Sequence, residues 1–272
     1  MRIIVTGGNS GVGRETASAM VAAGHEVVIA CRTLDKGYEA AETMAGDVEV
    51  RELDLADLTS VRKFADTVDS VDVLVNNAGV LGLPLTRTAD GFEAHMGTNH
   101  LGHFALTCLL GNRIRDRVVS VASTNYTAAQ IYFDDLNWER RRYNPWAAYG
   151  ESKLANLLFV RELTARGVTA YASDPGMTNT SITQQGSSAL QWAGRVISPR
   201  IAQSPADGAR STIQAITTTL PSGTYLAPRG LMHQWGKPKP TTLKDKAIDP
   251  DSARRLWDLS AELTDSQWQG ER

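Results

Sequence analysis

Two cysteines, Cys31 and Cys108, are all that the 272-residue chain holds, too few for the disulfide framework of a small secreted fold. Both are expected to be buried thiols, one near the end of a strand and one in a helix. No stretch reaches the roughly 18 apolar residues of a membrane span. A first strand that begins at Arg2 leaves no room ahead of it for a signal sequence or membrane anchor. The expectation is a soluble, cytoplasmic protein. Neither sign of charge predominates: 28 basic and 30 acidic residues leave a net charge of -2. No long run of either sign would draw nucleic acid or an anionic membrane, so the expected partner is a small molecule. Internal repeats are also absent, and only the final few residues have the look of a disordered tail.

What is present suits one α/β domain over residues 1-272: 42% hydrophobic and 21% charged residues at this length can enclose a large core. Arg2 to Val5 is β-branched and feeds a glycine-rich turn, and Val12 to Ala23 then has helical composition and ends at Gly24. Further strands are expected at Glu26 to Ala30, Val48 to Leu53, Asp72 to Val75, Arg117 to Val121, Val168 to Ser173 and Gly223 to Leu226. Helices are expected at Leu58 to Val68, Asp90 to about Leu110, Pro145 to Gly167, Ala206 to Thr219 and Pro250 to Leu263. This alternation predicts a doubly wound parallel sheet flanked by helices, a Rossmann-type fold with a ligand across its carboxyl edge. Gln184 to Pro205 mixes Gly, Ser and Gln with Leu190 and Trp192, which reads as a substrate flap at about 177-205.

A helix that starts on a glycine turn lets backbone N–H groups approach a pyrophosphate, and its dipole favours the negative charge. Gly7, Gly11 and Gly13, with Asn9, Ser10 and Val12 between them, therefore mark a dinucleotide site. Their spacing is Gly-x-x-x-Gly-x-Gly, not the Gly-x-Gly-x-x-Gly of the better-known fingerprint. After the second strand, where the adenosine ribose should lie, stands Arg32. A guanidinium pairs with a ribose 2′-phosphate in a fork, whereas an acid would hydrogen-bond a free 2′-OH. NADP(H) is thus the expected cofactor, NAD(H) being the alternative, with Thr33 and Lys36 as helpers and nearby Asp35 as the cap of the next helix.

The second constellation is Tyr149-Gly150-Glu151-Ser152-Lys153, which puts a phenol and an ammonium on one helix face, one turn apart. A cation beside a phenol stabilises the phenolate and makes tyrosine a usable acid or base near neutral pH. His95, His100 and His103 raise the idea of a metal, but no cysteine or carboxylate falls at ligand spacing, and packed or capping histidines are the better reading. Trp235, Trp257 and Trp268 are read as packing residues.

In order, the glycine turn, Asn76-Asn77-Ala78-Gly79, Ser123 after an apolar run, Tyr149 with Lys153, and Asp174-Pro175-Gly176 resemble the short-chain dehydrogenase/reductase family over nearly the whole chain. Asn99-His100-Leu101-Gly102-His103-Phe104, and the long stretch between Ser123 and Tyr149, resemble its retinol-dehydrogenase-like and protochlorophyllide-reductase-like branch. The resemblance implies a catalytic tetrad of Asn99, Ser123, Tyr149 and Lys153. It also implies an adenine contact at Asp54 and Leu55, a segment beside the cofactor at Asn77, Ala78 and Gly79, and nicotinamide contacts at Pro175, Gly176, Thr178 and Thr180. Ser120 competes with Ser123, and sequence alone leaves that choice open. Asp174 stands where the nearest branch commonly has histidine. Pairing through the long helices that bear Asn99 and Tyr149, as a homodimer or homotetramer, is a further implication.

The function expected is interconversion of a carbonyl and an alcohol by hydride transfer, with Tyr149 as general acid/base and Ser123 holding the oxygen; the resemblance further implies that Asn99 orders a water next to Lys153. Leu81, Leu83, Trp146, Met177, Leu190 and Trp192 suggest a lipophilic aldehyde or ketone, although each suits a core position equally. Two other readings are a non-catalytic dinucleotide sensor and a nucleotide-sugar epimerase or dehydratase. A sensor has no need of the proton-transfer groups, and an epimerase usually carries more chain after Gly176.

Overall fold

The computed structural model describes residues 1–178 and 202–270. Strand β1 (Arg2–Thr6) shows how the apolar pattern builds the fold. Its residues are buried on both faces: Ile4 packs into one hydrophobic layer and Ile3 and Val5 into the other. This two-sided burial is what a parallel strand covered by helices requires. The chain continues through α1 (Gly11–Ala22), β2 (Glu26–Cys31), α2 (Leu34–Ala41), β3 (Val48–Glu52), α3 (Leu58–Asp66) and β4 (Val71–Asn76). It then enters α4 (Ala94–Met96), a π turn (Gly97–Leu101) and α5 (Gly102–Leu110), followed by β5 (Ile114–Val121), α6 (Pro145–Ala165) and β6 (Ala170–Ser173). The last elements are α7 (Pro205–Thr217), β7 (Tyr225–Pro228), β8 (Pro238–Pro240) and α8 (Pro250–Thr264).

The sheet order is β3-β2-β1-β4-β5-β6-β7-β8, parallel except for β8. Strand order reverses between β1 and β4, the switch point outside which such sheets bind ligands. Helices α1 and α7 cover one face, while α3, α5, α6 and α8 cover the other. Cys31 and Cys108 are buried and free.

Three features differ from the sequence expectation. The helix expected from Asp90 starts only at Ala94, because Glu93 turns its carboxylate onto the Met96 N–H (2.8 Å) and so caps the helix itself. Asp35 is not a cap: Thr33 holds that position and Asp35 lies exposed in the first turn, where its charge suits the helix dipole. The short antiparallel β8 was not foreseen. Its two prolines cannot donate to a ladder, and they sit at the sheet edge, where none is needed.

The C-terminal helix α8 lies across α5 and α6. Trp257 stacks on Phe159 (centroids 5.8 Å apart), meets Phe104 edge-on at 5.0 Å, and lies 4.1 Å beneath the Arg166 guanidinium. Trp268 then packs on Trp257. The chain's own α8 thus packs on part of α5 and α6, the helices through which pairing was expected. Among the described residues no helix is long and apolar enough to cross a membrane.

Candidate active site

A cleft of about 1070 Å³ opens outside the carboxyl ends of β1, β2, β4, β5 and β6. At its floor the β1–α1 turn runs through Gly7 and Gly11, both at positive φ (64° and 53°). A Cβ on Gly13 would stand 2.4 Å from both the Gly7 carbonyl oxygen and the Asn77 Nδ2, so the turn is compact because glycine is there. Ser10 caps α1 in an extended conformation without a side-chain hydrogen bond, and no acid lies in the first helical turn. The α1 N–H groups are thus left to an anion entering the cleft, which fits a dinucleotide pyrophosphate.

Thr6 locks this turn to β4. Its hydroxyl accepts from the Asn77 and Ala78 N–H groups (2.9 and 3.0 Å), and the Asn77 amide donates to its carbonyl at 2.7 Å. The Thr6 hydroxyl also contacts His103 Nε2 at 2.8 Å. Asn77, Ala78 and Gly79 line the cleft as a result, as do Asn9, Ser10, Val12, Asp54 and Leu55. Arg32, Thr33 and Lys36 line the cleft beside the end of β2, and Asp35 does not. Arg14 and Thr43 join them there, hydrogen-bonded to each other at 3.0 Å. Sequence reasoning missed this pair, because only the packing of α1 against the segment after α2 brings Thr43 to the rim.

At the other end of the cleft stand Tyr149, Lys153, Pro175, Gly176 and Thr178. Helix α6 starts at Pro145, and its N-cap Asn144 accepts from the Trp146 and Ala147 N–H groups at 2.9 and 3.1 Å. Gly150 lets α6 approach the turn after β5 closely, for a Cβ there would be 3.0 Å from the Asn125 carbonyl oxygen. That approach brings the Ser123 hydroxyl near the Tyr149 phenol, where it acts to lower the phenol pKa, while Ser123 Oγ accepts from the Asn125 N–H at 3.4 Å. Ser120, by contrast, is buried within β5 between β4 and β6, so Ser123 is the serine at the tyrosine.

Lys153 Nζ donates to the Val121 carbonyl at 2.8 Å and lies 5.6 Å from the Tyr149 ring centroid. Burial pushes the Lys153 ammonium down to about 8, with the Asp174 charge opposing. Burial pushes the Tyr149 phenol up, the Ser123 hydroxyl opposes this, and Asp174 adds to it. Desolvation is the largest influence on the phenol in this structure and keeps Tyr149 neutral.

Asn99 does not line the cleft. It sits fully buried in the π turn, where its side chain accepts from the Val80 N–H (2.7 Å) and donates to the Val80 carbonyl (3.1 Å) and to Ser152 Oγ (2.9 Å). It thereby joins the Gly79–Val80 wall to α6. The three histidines all have protein partners: His95 with Glu93 (2.7 Å), His100 with Ser260 (2.9 Å) and His103 with Thr6. Of the apolar pocket candidates, Leu81 and Leu83 line the cleft, while Trp146 and Met177 are exposed. Thr180, Leu190 and Trp192 lie outside the described residues, as does most of the expected flap.

The family profile described as short chain dehydrogenase matches residues 1–191. The chain belongs to the short-chain dehydrogenase family. Within it, the chain is 40% identical to retinol dehydrogenase 12 of Mus musculus, covering 98% of this chain and 87% of the mouse protein. It is 39% identical to retinol dehydrogenase 13 of Homo sapiens, covering 96% of this chain and 83% of the human protein. Among solved structures, a protein of Mycobacterium paratuberculosis is 44% identical with a TM-score of 0.84, covering 98% of this chain and 94% of that one. The dehydrogenase is thus retinol-dehydrogenase-like, an oxidoreductase of alcohol and carbonyl groups that uses a nicotinamide dinucleotide, and the glycine turn and the cleft fit that cofactor.

Proposed function

We propose that this dehydrogenase is an NADP(H)-preferring reductase of lipophilic aldehydes or ketones, with Tyr149 as its general acid and, in the alcohol-oxidising direction, its general base. The observation that carries the reading is the pair Tyr149 and Lys153 at one end of a cleft whose other end presents Arg32 and Lys36, with Ser123 near the phenol. When bound, the dinucleotide supplies or accepts the hydride, and the chain's own residues handle the proton. Tyr149 gives its hydroxyl proton to the substrate oxygen, and the Ser123 hydroxyl holds that oxygen within reach. Lys153, still largely protonated at neutral pH, would hold the nicotinamide ribose and favour the tyrosinate that remains after transfer. Arg32 would pair with the 2′-phosphate, the positive rim of Lys36 and Arg14 beside it. Leu81 and Leu83 make the substrate end apolar, and the retinol dehydrogenases among the relatives support a long hydrophobic carbonyl compound.

The test is a fluorescence titration with NADPH and NADH, followed by loss of nicotinamide absorbance against all-trans-retinal, decanal and a hydrophilic aldehyde. NADPH should bind more tightly, and Arg32→Ala should weaken it about 10- to 100-fold, from the ~1.5–3 kcal/mol of a hydrogen bond to a charged group. Tyr149→Phe should keep NADPH binding and lose about 10²- to 10⁴-fold in turnover. Near-normal turnover by Tyr149→Phe, or tighter NADH binding by the unaltered protein, would overturn the reading.

A further inference from the structure

Asp174, which directly follows β6, is 1% exposed, and among the described residues it makes no ion pair with any lysine, arginine or histidine. Its carboxylate instead collects four hydrogen bonds. Oδ2 accepts from the Thr124 N–H (2.6 Å), the Thr124 hydroxyl (2.6 Å) and the Tyr225 hydroxyl (2.7 Å), and Oδ1 accepts from the Gly176 N–H (2.7 Å). These donors come from three places: the turn that carries Ser123, strand β7, and the Pro175–Gly176 turn at the catalytic end of the cleft. A buried carboxylate outside any contact ion pair is costly, and a set of hydrogen-bond donors such as this offsets the cost. The cost suggests a use that a neutral side chain would not serve.

We propose that Asp174 is a positioning residue for the oxidoreductase reaction: its buried carboxylate ties the Ser123–Thr124 turn to the Pro175–Gly176 turn, keeps the Ser123 hydroxyl beside Tyr149, and sets the charge felt by Lys153. This rests on the roles given above to Ser123, Tyr149 and Lys153. Thr124 is the residue next to Ser123, so two short hydrogen bonds to Thr124 fix the backbone from which the Ser123 side chain projects. Gly176 is held by the same carboxylate, so both walls of the catalytic end move together or not at all.

The titratable groups around Asp174 and Lys153 are Tyr149 on α6, His103 on α5, Tyr126 after β5 and Tyr225 on β7. Burial holds the three phenols in the neutral form and pushes the His103 imidazole down to about 3, so it too is neutral. In this cluster Lys153 is the group that stays cationic at neutral pH. Asp174 raises the Lys153 pKa against the burial that lowers it, so removing the carboxylate charge should release the Lys153 proton at lower pH.

The experiment compares Asp174→Asn with the unaltered protein by two readouts. One is kcat and the NADPH dissociation constant with the best carbonyl compound of the panel above. The other is the pH titration of the Lys153 signal in [ε-13C]lysine-labelled, nucleotide-free protein, assigned by its loss in Lys153→Met. The expected result is a kcat lowered about 10- to 100-fold, the scale of a small misplacement of reacting groups, NADPH binding nearly unchanged, and a Lys153 titration moved below the unaltered value of about 8. An unchanged kcat or an unmoved Lys153 titration in folded Asp174→Asn overturns the proposal. Should that variant not fold, Thr124→Val and Tyr225→Phe decide, since each removes one donor and keeps the charge: both should lower kcat without weakening NADPH, and wild-type kcat in both overturns it. Tyr149→Phe serves as the control. If it is inactive while Asp174→Asn is normal, only the role of Asp174 fails; if it turns over normally, the acid/base reading of the site fails instead.

Discussion

Lowering the pH from 7 to 5 should destabilise the protein through His100 and His103, before most carboxylates titrate. Both rings are almost completely buried. His103 is satisfied as a neutral imidazole: its Nδ1–H donates to the Asn99 carbonyl at 3.0 Å, and its Nε2 accepts from the Thr6 hydroxyl, whose oxygen already takes two N–H groups. Burial pushes its pKa down to about 3, the Asn99 bond opposing and the charges of Lys153 and His100 adding to the depression. Burial likewise pushes His100 down to about 4. In the unfolded chain both titrate near 6.5. Between about pH 6.5 and 4, then, the unfolded chain binds more protons than the folded one, and stability falls as pH falls. At pH 5 each histidine accounts for a loss of about 2 kcal/mol and the two for about 4, against a total stability of roughly 5–15 kcal/mol. Glu93 and Asp135, whose pKa values are lowered in the fold, add their own loss only below about pH 4.5. Urea unfolding at pH 7, 6 and 5, at constant ionic strength, should give a slope approaching two protons per molecule, and His100→Leu should reduce it to about one. A stability that does not change between pH 7 and 5 would refute the reasoning.

Two further outcomes follow from packing. Gly13→Ala puts a methyl group 2.4 Å from the Gly7 carbonyl oxygen, so the turn must open; a cost of about 1–3 kcal/mol should appear as a lower Tm, together with weakened NADPH binding by fluorescence. Wild-type affinity in that variant would mean that the turn does not set the pyrophosphate site. Trp257→Ala removes the ring that Phe104, Phe159 and Arg166 pack against, and urea unfolding should show a loss of about 3–5 kcal/mol. Light scattering on the same sample reads whether loosening α8 allows pairing through α5 and α6.

The strand, glycine turn and helix from Arg2 to Ala22 were legible because each depends on nearby residues: β-branched side chains favour the strand, and glycine permits the positive φ that the turn needs. The Tyr149–Lys153 pair was legible for the same reason, since one helical turn relates the two. Asp35 was misjudged because cap preference is weak among neighbouring candidates, and a start two residues earlier, at a Thr33 cap, moved it into the helix.

Sequence alone determined which reactive groups are present and in what order: a phosphate-ready glycine turn, a basic residue after β2, and a phenol one turn from an ammonium. Tertiary structure decided what those groups experience. Ser123 rather than Ser120 meets Tyr149 because Gly150 lets α6 approach the turn after β5. Burial, not the lysine, dominates the phenol, and α8 packs Trp257 on Phe104 of α5 and Phe159 of α6. Asp174 gathers donors from residues as distant in sequence as Thr124 and Tyr225. Desolvation and hydrogen-bond geometry depend on the surroundings in space, which local spacing along the chain does not specify.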